Sequence, residues 1–225
     1  LTMIASNTTN IKLATAVLIA PLRNPALLAK TAATLDSISK GRLELGVGLG
    51  WQKEEYDTAG LSFENRAEVF WETLDICKLL WEDSPISFNG KYFNFDDIWC
   101  HPQPPQGKDL PLLFGLKMTP ENASKIARVG HGWIPIKTSR DFISEGKQIL
   151  SEAFINAGRN DQPRIRGQLP TCVDEDGLPN IQLTLNEIEK SMAAGLDEVE
   201  VFPINFVQGP EDIYKVLKLI SEVKK

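Results

Sequence analysis

The chain has 225 residues, of which 42% are hydrophobic and 24% are charged, and its formal net charge is -6. Such a chain can build one soluble α/β domain, and an acidic chain without a basic run is not expected to bind nucleic acid. The apolar run 14–22 is broken by Pro21 and is too short to span a membrane. Neither the three cysteines nor the two histidines have metal-ligand spacing, so we predict no metal site. With no leader segment apparent, we expect a cytoplasmic protein.

In the first half of the chain, β-rich and helical segments alternate. An apolar strand over 11–19 is followed by a helix that Asn24 caps and that ends at Gly41. A second strand covers 41–51, and after a polar loop an apolar stripe predicts a helix from Arg66 to Trp81. An insertion at about 83–108 contains a hairpin, which we predict to turn through a type I′ turn at Asn89-Gly90.

The alternation resumes in the second half of the chain. The predicted elements are a strand over 110–115, a helix from Thr119-Pro120 to Val129, a strand over 132–136, a helix over 139–157, a strand over 164–169, a helix capped by Thr184, a strand over 198–202 and a helix opened by Pro210. Such alternation predicts a parallel sheet, either open or closed as a barrel. We count six strand-helix units, whereas a closed barrel has eight, and residues 1–9 look like the end of a helix.

The strand over 41–51 has two contrasting faces, because side chains alternate along a strand. Leucine and valine side chains occupy one face, while Gly46, Gly48 and Gly50 occupy the other. Three glycines on one face indicate that a flat group, such as a planar cofactor ring, lies against the backbone. The alternative is that they only relieve crowding. The GxGxxG dinucleotide pattern fails at Trp51 and Lys53, which argues against a Rossmann site.

Three stretches carry a resemblance to a known family: 11–25 continued through Leu35-Asp36, then 41–51, and then 111–135 with its His-Gly-Trp ending. In this order they resemble the bacterial luciferase-like family of flavin- or deazaflavin-dependent oxidoreductases. The resemblance implies that residues 1–225 form a single luciferase-like (β/α)8 TIM barrel domain, of which strands three to eight are present and the first two strand-helix units are missing. It also implies a homodimer.

The resemblance assigns ten residues to binding of FMN or coenzyme F420, namely Ala16, Val17, Gly48, Leu49, Gly50, Gly115, Leu116, Lys117, Met118 and Thr119. The first two match a bulge with a non-prolyl cis peptide behind the ring, and the next three match a strand end that contacts it. The last five match a phosphate clamp, and a helix start independently favours an anion there. Leu116 and Lys117 depart from the family's Gly-Gly pattern, and Thr119 caps a helix in either case.

Other polar or aromatic residues near the strand ends have two interpretations each. His131 has the chemistry of an acid or base, although a structural histidine is the commoner case. Trp51 lies where it would line a substrate pocket. The carboxylates of Glu54, Glu55 and Asp57 are placed either to donate a proton or simply to face solvent. The resemblance puts the catalytic side chains on strands one and two, so none is assigned in this sequence.

We therefore expect hydride transfer from reduced coenzyme F420 to a small-molecule substrate. One alternative is an FMN-dependent monooxygenase that uses O2, and another is a non-catalytic flavin-binding protein with a naturally shortened barrel. A shortened barrel would reseal its sheet, whereas a truncated one leaves 11–19 as an apolar edge, and the apolar character of this segment favours truncation. A sugar- or phosphate-processing barrel would need convergent carboxylates or a metal set, which the sequence does not show.

Overall fold

A computed structural model describes residues Leu1–Val223. The chain divides into two compact units. The first unit comprises Leu1–Leu116 with Val129–His131, and the second comprises Lys117–Arg128 and the chain from Gly132 onward. No helix within 1–223 is long and apolar enough to cross a lipid bilayer. The assignment of the whole chain to one domain stays a prediction.

The first unit is α/β with parallel central strands. In chain order its elements are α1 (Thr2–Asn7), β1 (Leu13–Ala14), β2 (Leu18–Ile19), α2 (Pro25–Ser39), β3 (Leu43–Gly48), α3 (Lys53–Ala59), α4 (Arg66–Glu82), β4 (Ile86–Asn89), β5 (Asn94–Ile98) and β6 (Leu112–Gly115), with 3₁₀ helices at Ala20–Leu22 and Gly107–Asp109. Strands β1, β2 and β6 all pair parallel to β3. This register places Gly48 between Ile19 on one side and Gly115 on the other.

Helix α2 begins and ends where the sequence predicts. The Asn24 side chain accepts hydrogen bonds from the N–H groups of Ala26 and Leu27, and Pro25 occupies the first turn. Lys40 adopts a left-handed conformation at the end of the helix, and Gly41 follows with a φ of 79°. Strand β3 then enters the core, where every residue from Leu43 to Gly48 is buried. This burial is typical of parallel strands that are covered on both faces.

The segment 11–19 is two short strands instead of the single strand predicted. Thr15, Ala16 and Val17 separate β1 from β2, and the Ala16–Val17 peptide bond is cis, as the resemblance implies. The Thr15 hydroxyl donates to the carbonyl of Gly46 at 2.8 Å, which holds this irregular segment against β3. Within the first unit, β1 and β2 pair with β3 alone.

Two further local predictions for the first unit are wrong. The polar segment after β3 contains helix α3, which ends at Gly60 in a left-handed conformation. Strands β4 and β5 do form an antiparallel hairpin, but Gly90–Phe93 is a four-residue loop and Gly90 lacks the positive φ that a type I′ turn requires. In that loop Gly90 N–H donates to the carbonyl of Phe93 at 2.9 Å.

The second unit is also α/β with parallel strands. Its elements are α5 (Pro120–Val129), β7 (Gly132–Trp133), α6 (Arg140–Asn156), β8 (Arg164–Gln168), α7 (Ile181–Leu185), α8 (Ile188–Ala193), β9 (Glu198–Glu200) and α9 (Asp212–Ser221), with a 3₁₀ helix at Pro203–Phe206. Strand β8 pairs parallel to β7 and β9. Thr184 does not cap a helix, because it is buried within α7 and its hydroxyl accepts the N–H of Cys172, while Asn180 provides the cap.

Asp36 is the buried polar group that ties the end of α2 to the rest of the first unit. It is 0% exposed. Its carboxylate accepts the N–H of Leu43 at 3.3 Å, and the backbone N–H and side-chain amide of Gln106 at 3.2 and 2.8 Å.

We expect Asp36→Ala to lower the free energy of unfolding by about 2 kcal/mol, because it leaves the buried N–H of Leu43 and the partly buried N–H of Gln106 without an acceptor, whereas the Gln106 side chain keeps its hydrogen bond to the Leu43 carbonyl. Chemical denaturation measures this loss. The control is Thr34→Ala, which removes an exposed hydroxyl from the same helix and should change stability by less than about 0.5 kcal/mol. Equal effects of the two substitutions would contradict the role given to Asp36.

Candidate functional site

The Val17 side chain fills the space above two glycines on neighbouring strands. A Cβ atom built on Gly48 would lie 2.7 Å from Cγ2 of Val17, and one built on Gly115 would lie 2.8 Å from Cγ1. Both distances are shorter than any van der Waals contact, so Val17 accounts for the absence of a side chain at both positions. The prediction that Gly48 offers bare backbone to a ring is therefore wrong. Val17 is 37% exposed, and its outer face is the surface that this part of the fold presents.

Contacts of Leu49 and Gly50, the two residues that follow β3, fix the end of this strand. The hydroxyl of Tyr56 in α3 donates to the carbonyl of Leu49. Gly50 has a φ of 73°, and a Cβ atom there would lie 3.0 Å from Cγ2 of Ile19. Gly50 is thus a position that requires glycine for its backbone conformation. Leu49 and Gly50 are partly exposed, whereas Gly48 is buried beneath Val17.

An open cavity of about 690 Å³ lies over residues 14–19, which include the Ala16–Val17 cis peptide, and we call it the bulge cavity. It is lined by residues 14–19 together with Leu1, Leu22, Arg23 and Glu55. Apolar side chains and backbone form most of its surface, and Arg23 and Glu55 are its charged residues. The carboxyl ends of parallel strands are where α/β proteins commonly bind ligands.

A second cavity of about 350 Å³, the arginine cavity, lies beside the first. Leu22 and Arg23 line both cavities. The remaining lining residues come from the 3₁₀ helix before α2, from α3, from the starts of α2 and α4, and from the nearby loops: Pro21, Asn24, Tyr56, Gly60, Leu61, Ser62, Asn65, Arg66, Val69, Tyr92 and Phe93.

The two arginines of this cavity have unused hydrogen-bonding capacity. The Arg66 guanidinium lies 3.6 Å from the centre of the Phe63 ring and donates through Nη1 to the Phe63 carbonyl at 2.7 Å. Its Nε is buried and has no hydrogen-bond partner in the described part of the chain. The Arg23 side chain makes no hydrogen bond or ion pair with any residue of 1–223. Within residues 1–223, neither arginine of this cavity forms an ion pair with a carboxylate.

Tyr56 lines the arginine cavity and is hydrogen-bonded to the end of β3. Burial raises the pKa of its hydroxyl, and the positive charge of Arg66 opposes that shift. A raised pKa keeps the hydroxyl protonated at neutral pH, so Tyr56 remains a donor to the Leu49 carbonyl.

The wall formed by Tyr92 and Phe93 is held in place from α4. The backbone N–H groups of Lys91, Tyr92 and Phe93 donate to the Glu72 carboxylate at 3.1, 2.9 and 2.8 Å. The Tyr92 hydroxyl donates to Glu68 at 3.0 Å. The Glu72 carboxylate thus accepts hydrogen bonds from three successive amides of the hairpin loop. These bonds hold the part of the loop that carries the two aromatic rings.

In the predicted phosphate clamp, few side chains are free to bind a phosphate group. Gly115 ends β6, and the side chains of Leu116 and Met118 are buried. In the second unit, the Thr119 hydroxyl accepts the N–H of Asn122 at 3.2 Å, as a capping residue does at the start of a helix. Lys117 is exposed, and its carbonyl accepts the Asn122 side chain at 2.9 Å. The phosphate role of these five residues stays a prediction.

The other candidate residues have different surroundings in the structure, and only one of them lines either of the two cavities. His131 accepts the N–H of Leu112 on Nδ1 at 3.2 Å, which favours the structural interpretation. Trp51 is 85% exposed and lines neither cavity. Glu55 lines the bulge cavity, whereas Asp57 pairs with Lys53 in α3 at 2.7 Å. Within 1–223, no group of three or more His, Cys, Asp or Glu side chains is placed to hold a metal ion.

Sequence reasoning missed Arg23. The available signal was a cation directly before the capped start of α2, next to the strand that carries Val17. Arg66 was visible in the sequence only as the first residue of a helix, because its stacking on Phe63 and its buried Nε depend on the tertiary structure.

Comparison with known proteins identifies the family. Residues 1–177 match the family described as luciferase-like monooxygenase. The chain therefore belongs to the luciferase-like monooxygenase family, and the resemblance inferred from three sequence stretches is confirmed.

Three relatives show the range of this family. An uncharacterized protein of Mycobacterium tuberculosis is 36% identical over 159 residues, which are 70% of this chain and 55% of that protein. The pyrimidine monooxygenase RutA of Yersinia enterocolitica is 40% identical over 85 residues, covering 36% of this chain and 23% of the enzyme. An F420-dependent glucose-6-phosphate dehydrogenase of Kineococcus radiotolerans is 29% identical over 178 residues, covering 76% of this chain and 50% of the enzyme. The chain spans about half the length of the first and third of these relatives.

Solved structures show a shared fold. The coenzyme F420 dependent tetrahydromethanopterin reductase of Methanopyrus kandleri superposes with a TM-score of 0.79 at 20% identity, over 98% of this chain and 84% of the reductase. A type II Baeyer-Villiger monooxygenase of Pseudomonas putida, solved with FMN, superposes with a TM-score of 0.76 at 19% identity, over 98% of this chain and 81% of that chain. At such identities the likeness concerns the fold alone.

We expect Gly48→Ala to destabilise the protein by about 1 to 3 kcal/mol, because the added methyl group overlaps the Val17 side chain. In a Val17→Ala background the same substitution should cost much less. A double-mutant cycle on the free energy of unfolding measures this coupling. If the two effects were additive, Val17 would not be the group that excludes a side chain at position 48.

Proposed function

We propose that this protein is an oxidoreductase that binds a reduced flavin-type cofactor, coenzyme F420 in the first instance, at the bulge cavity and transfers a hydride to a small-molecule substrate. The observation that carries the proposal is the exposed apolar face of Val17, seated on Gly48 and Gly115 at the carboxyl ends of parallel strands. A flat aromatic ring needs a smooth, fixed, apolar surface on one side, and this arrangement supplies one.

The residues around the bulge cavity fit such a ring. Ala16 and Val17 line the cavity and would support the ring, and Gly48 and Gly115 would act indirectly by fixing Val17. Leu49 and Gly50 follow β3 and do not line the cavity, and we place them at the edge of the ring. When bound, a reduced cofactor of this type supplies a hydride or two electrons. The chain itself orients the ring and uses the apolar lining of residues 14–19 to exclude water from one side of it.

The proposal also chooses between two cofactors, coenzyme F420 and FMN. Coenzyme F420 is supported by the dehydrogenase relative, which aligns over 76% of this chain. The alternative is an FMN-dependent monooxygenase, and the higher identity to the pyrimidine monooxygenase over a shorter stretch supports a monooxygenase reaction. The shared fold does not distinguish the two, because it occurs in an F420-dependent reductase and in an FMN-bound monooxygenase.

Several further expectations belong to this proposal. They are a (β/α)8 barrel in which this chain provides strands three to eight, a homodimer and a cytoplasmic location. Each stays a prediction, as does the assignment of 115–119 to the cofactor's phosphate.

Titration of the purified chain with oxidised and reduced FMN, and separately with oxidised and reduced coenzyme F420, tests the proposal. We expect saturable binding of one cofactor, followed by absorbance. Val17→Ala should weaken that binding about tenfold, since two methyl groups are lost from the supporting surface. Leu79→Ala, which removes a partly exposed leucine from α4 outside both cavities, is the matched control and should leave affinity unchanged.

Binding of neither cofactor would refute the proposal. Reaction of the bound reduced cofactor with O2 and incorporation of oxygen into an organic substrate would favour the monooxygenase alternative, whereas transfer to an acceptor without O2 would favour the F420-type reaction.

A further inference from the structure

We propose that the arginine cavity is the substrate subsite and that it takes an aromatic carboxylate, whose carboxylate group is held by Arg23 with Arg66. This inference rests on the proposed function, since it names the class of substrate that would meet the cofactor there. Its own basis is the charge, the shape and the position of the cavity.

The charge of the cavity favours an anion. Arg23 and Arg66 line it, and its lining includes no carboxylate and no lysine. The Arg23 guanidinium has no partner in residues 1–223, and Arg66 Nε is buried without one. A guanidinium binds a carboxylate through two parallel hydrogen bonds, a geometry that favours a planar acid.

Of the nearby acidic side chains, Glu55 lines the neighbouring bulge cavity, and Glu68 and Glu72 are engaged with other groups. Glu72 is occupied by the three loop amides, and Glu68 pairs with Lys91 while accepting the Tyr92 hydroxyl. The starts of α2 and α4, at Asn24 and Asn65, both lie at the cavity, and the partial positive charge of a helix N-terminus adds to that of the arginines.

The shape of the cavity favours an aromatic body. Tyr92 and Phe93 form one wall, and Leu61 and Val69 add aliphatic surface. A volume of about 350 Å³ is at the lower end of the range for small-molecule sites and accommodates a single ring with a short acid side chain.

The position of the cavity connects this ligand to the proposed cofactor site. Leu22 and Arg23 line both cavities, so a carboxylate on Arg23 lies at the boundary between them. With its ring against the wall formed by Tyr92 and Phe93, the acid would place the carbon next to its carboxylate at this boundary, beside the cavity where we place the cofactor ring.

The test uses phenylacetate and its neutral amide, phenylacetamide, as probes of matched shape. Calorimetric titration of the cofactor-free full chain should show that the acid binds at least about tenfold more tightly than the amide, a difference of about 1.4 kcal/mol. Arg23→Gln and Arg66→Gln should each reduce the affinity for the acid and leave that for the amide unchanged. Lys108→Gln removes an exposed cation that pairs with Glu82 away from the cavity, and it should change neither affinity.

Three results would overturn the inference: equal affinity for acid and amide, an acid preference that survives the combined arginine substitutions, or no binding of either probe at millimolar concentration. Equally tight competition by inorganic phosphate would refute a carboxylate site in favour of a phosphate site. Because these titrations need no cofactor, a preference for the acid would stand even if FMN and coenzyme F420 both failed to bind, and the failures of the two proposals are distinguishable.

Discussion

The packing of Val17 against Gly48 and Gly115 is the contact on which the rest of the site depends. Neighbouring strands in a sheet are less than about 5 Å apart, so a recess between them exists only where side chains are missing from both. The two glycines lie opposite each other in β3 and β6 and create that recess. The Val17 side chain fills this recess completely. Because protein interiors are close-packed, a change at any one of these residues shifts its neighbours. The position of the surface that faces the bulge cavity is therefore set jointly by three residues.

Family membership and the ends of α2 were accessible from the sequence, the latter because they depend on local chemistry. Asn24, Pro25 and Gly41 mark the ends of α2 through capping rules that act within a few residues. The glycine-rich strand was also recognised, but at Gly48 the structure favours relief of crowding over direct contact with a ring. Glycine at position 48 shows that a side chain is excluded, but the pattern does not show whether a ligand or a neighbouring side chain excludes it. Only the path of the chain at residues 15–17 decides between the two.

The remaining differences arise from tertiary contacts that no short sequence window contains. Thr184 looks like a cap, but its hydroxyl bonds to Cys172, twelve residues earlier. The Asn89-Gly90 pair looks like a tight turn, but contacts of the following amides with Glu72 favour a longer loop. Arg23 looks like an ordinary solvated cation beside a helix start. Its importance emerges because two cavities meet at its side chain.

The hydrogen bonds from the hairpin loop to Glu72 allow the side chains of this loop to vary. The three hydrogen bonds are made by main-chain amides, which every residue except proline possesses. The backbone of the loop is therefore anchored independently of the identity of the side chains at positions 91–93. Substitutions there can change the shape and polarity of the cavity wall while the scaffold stays intact, so ligand preference can evolve without a loss of stability.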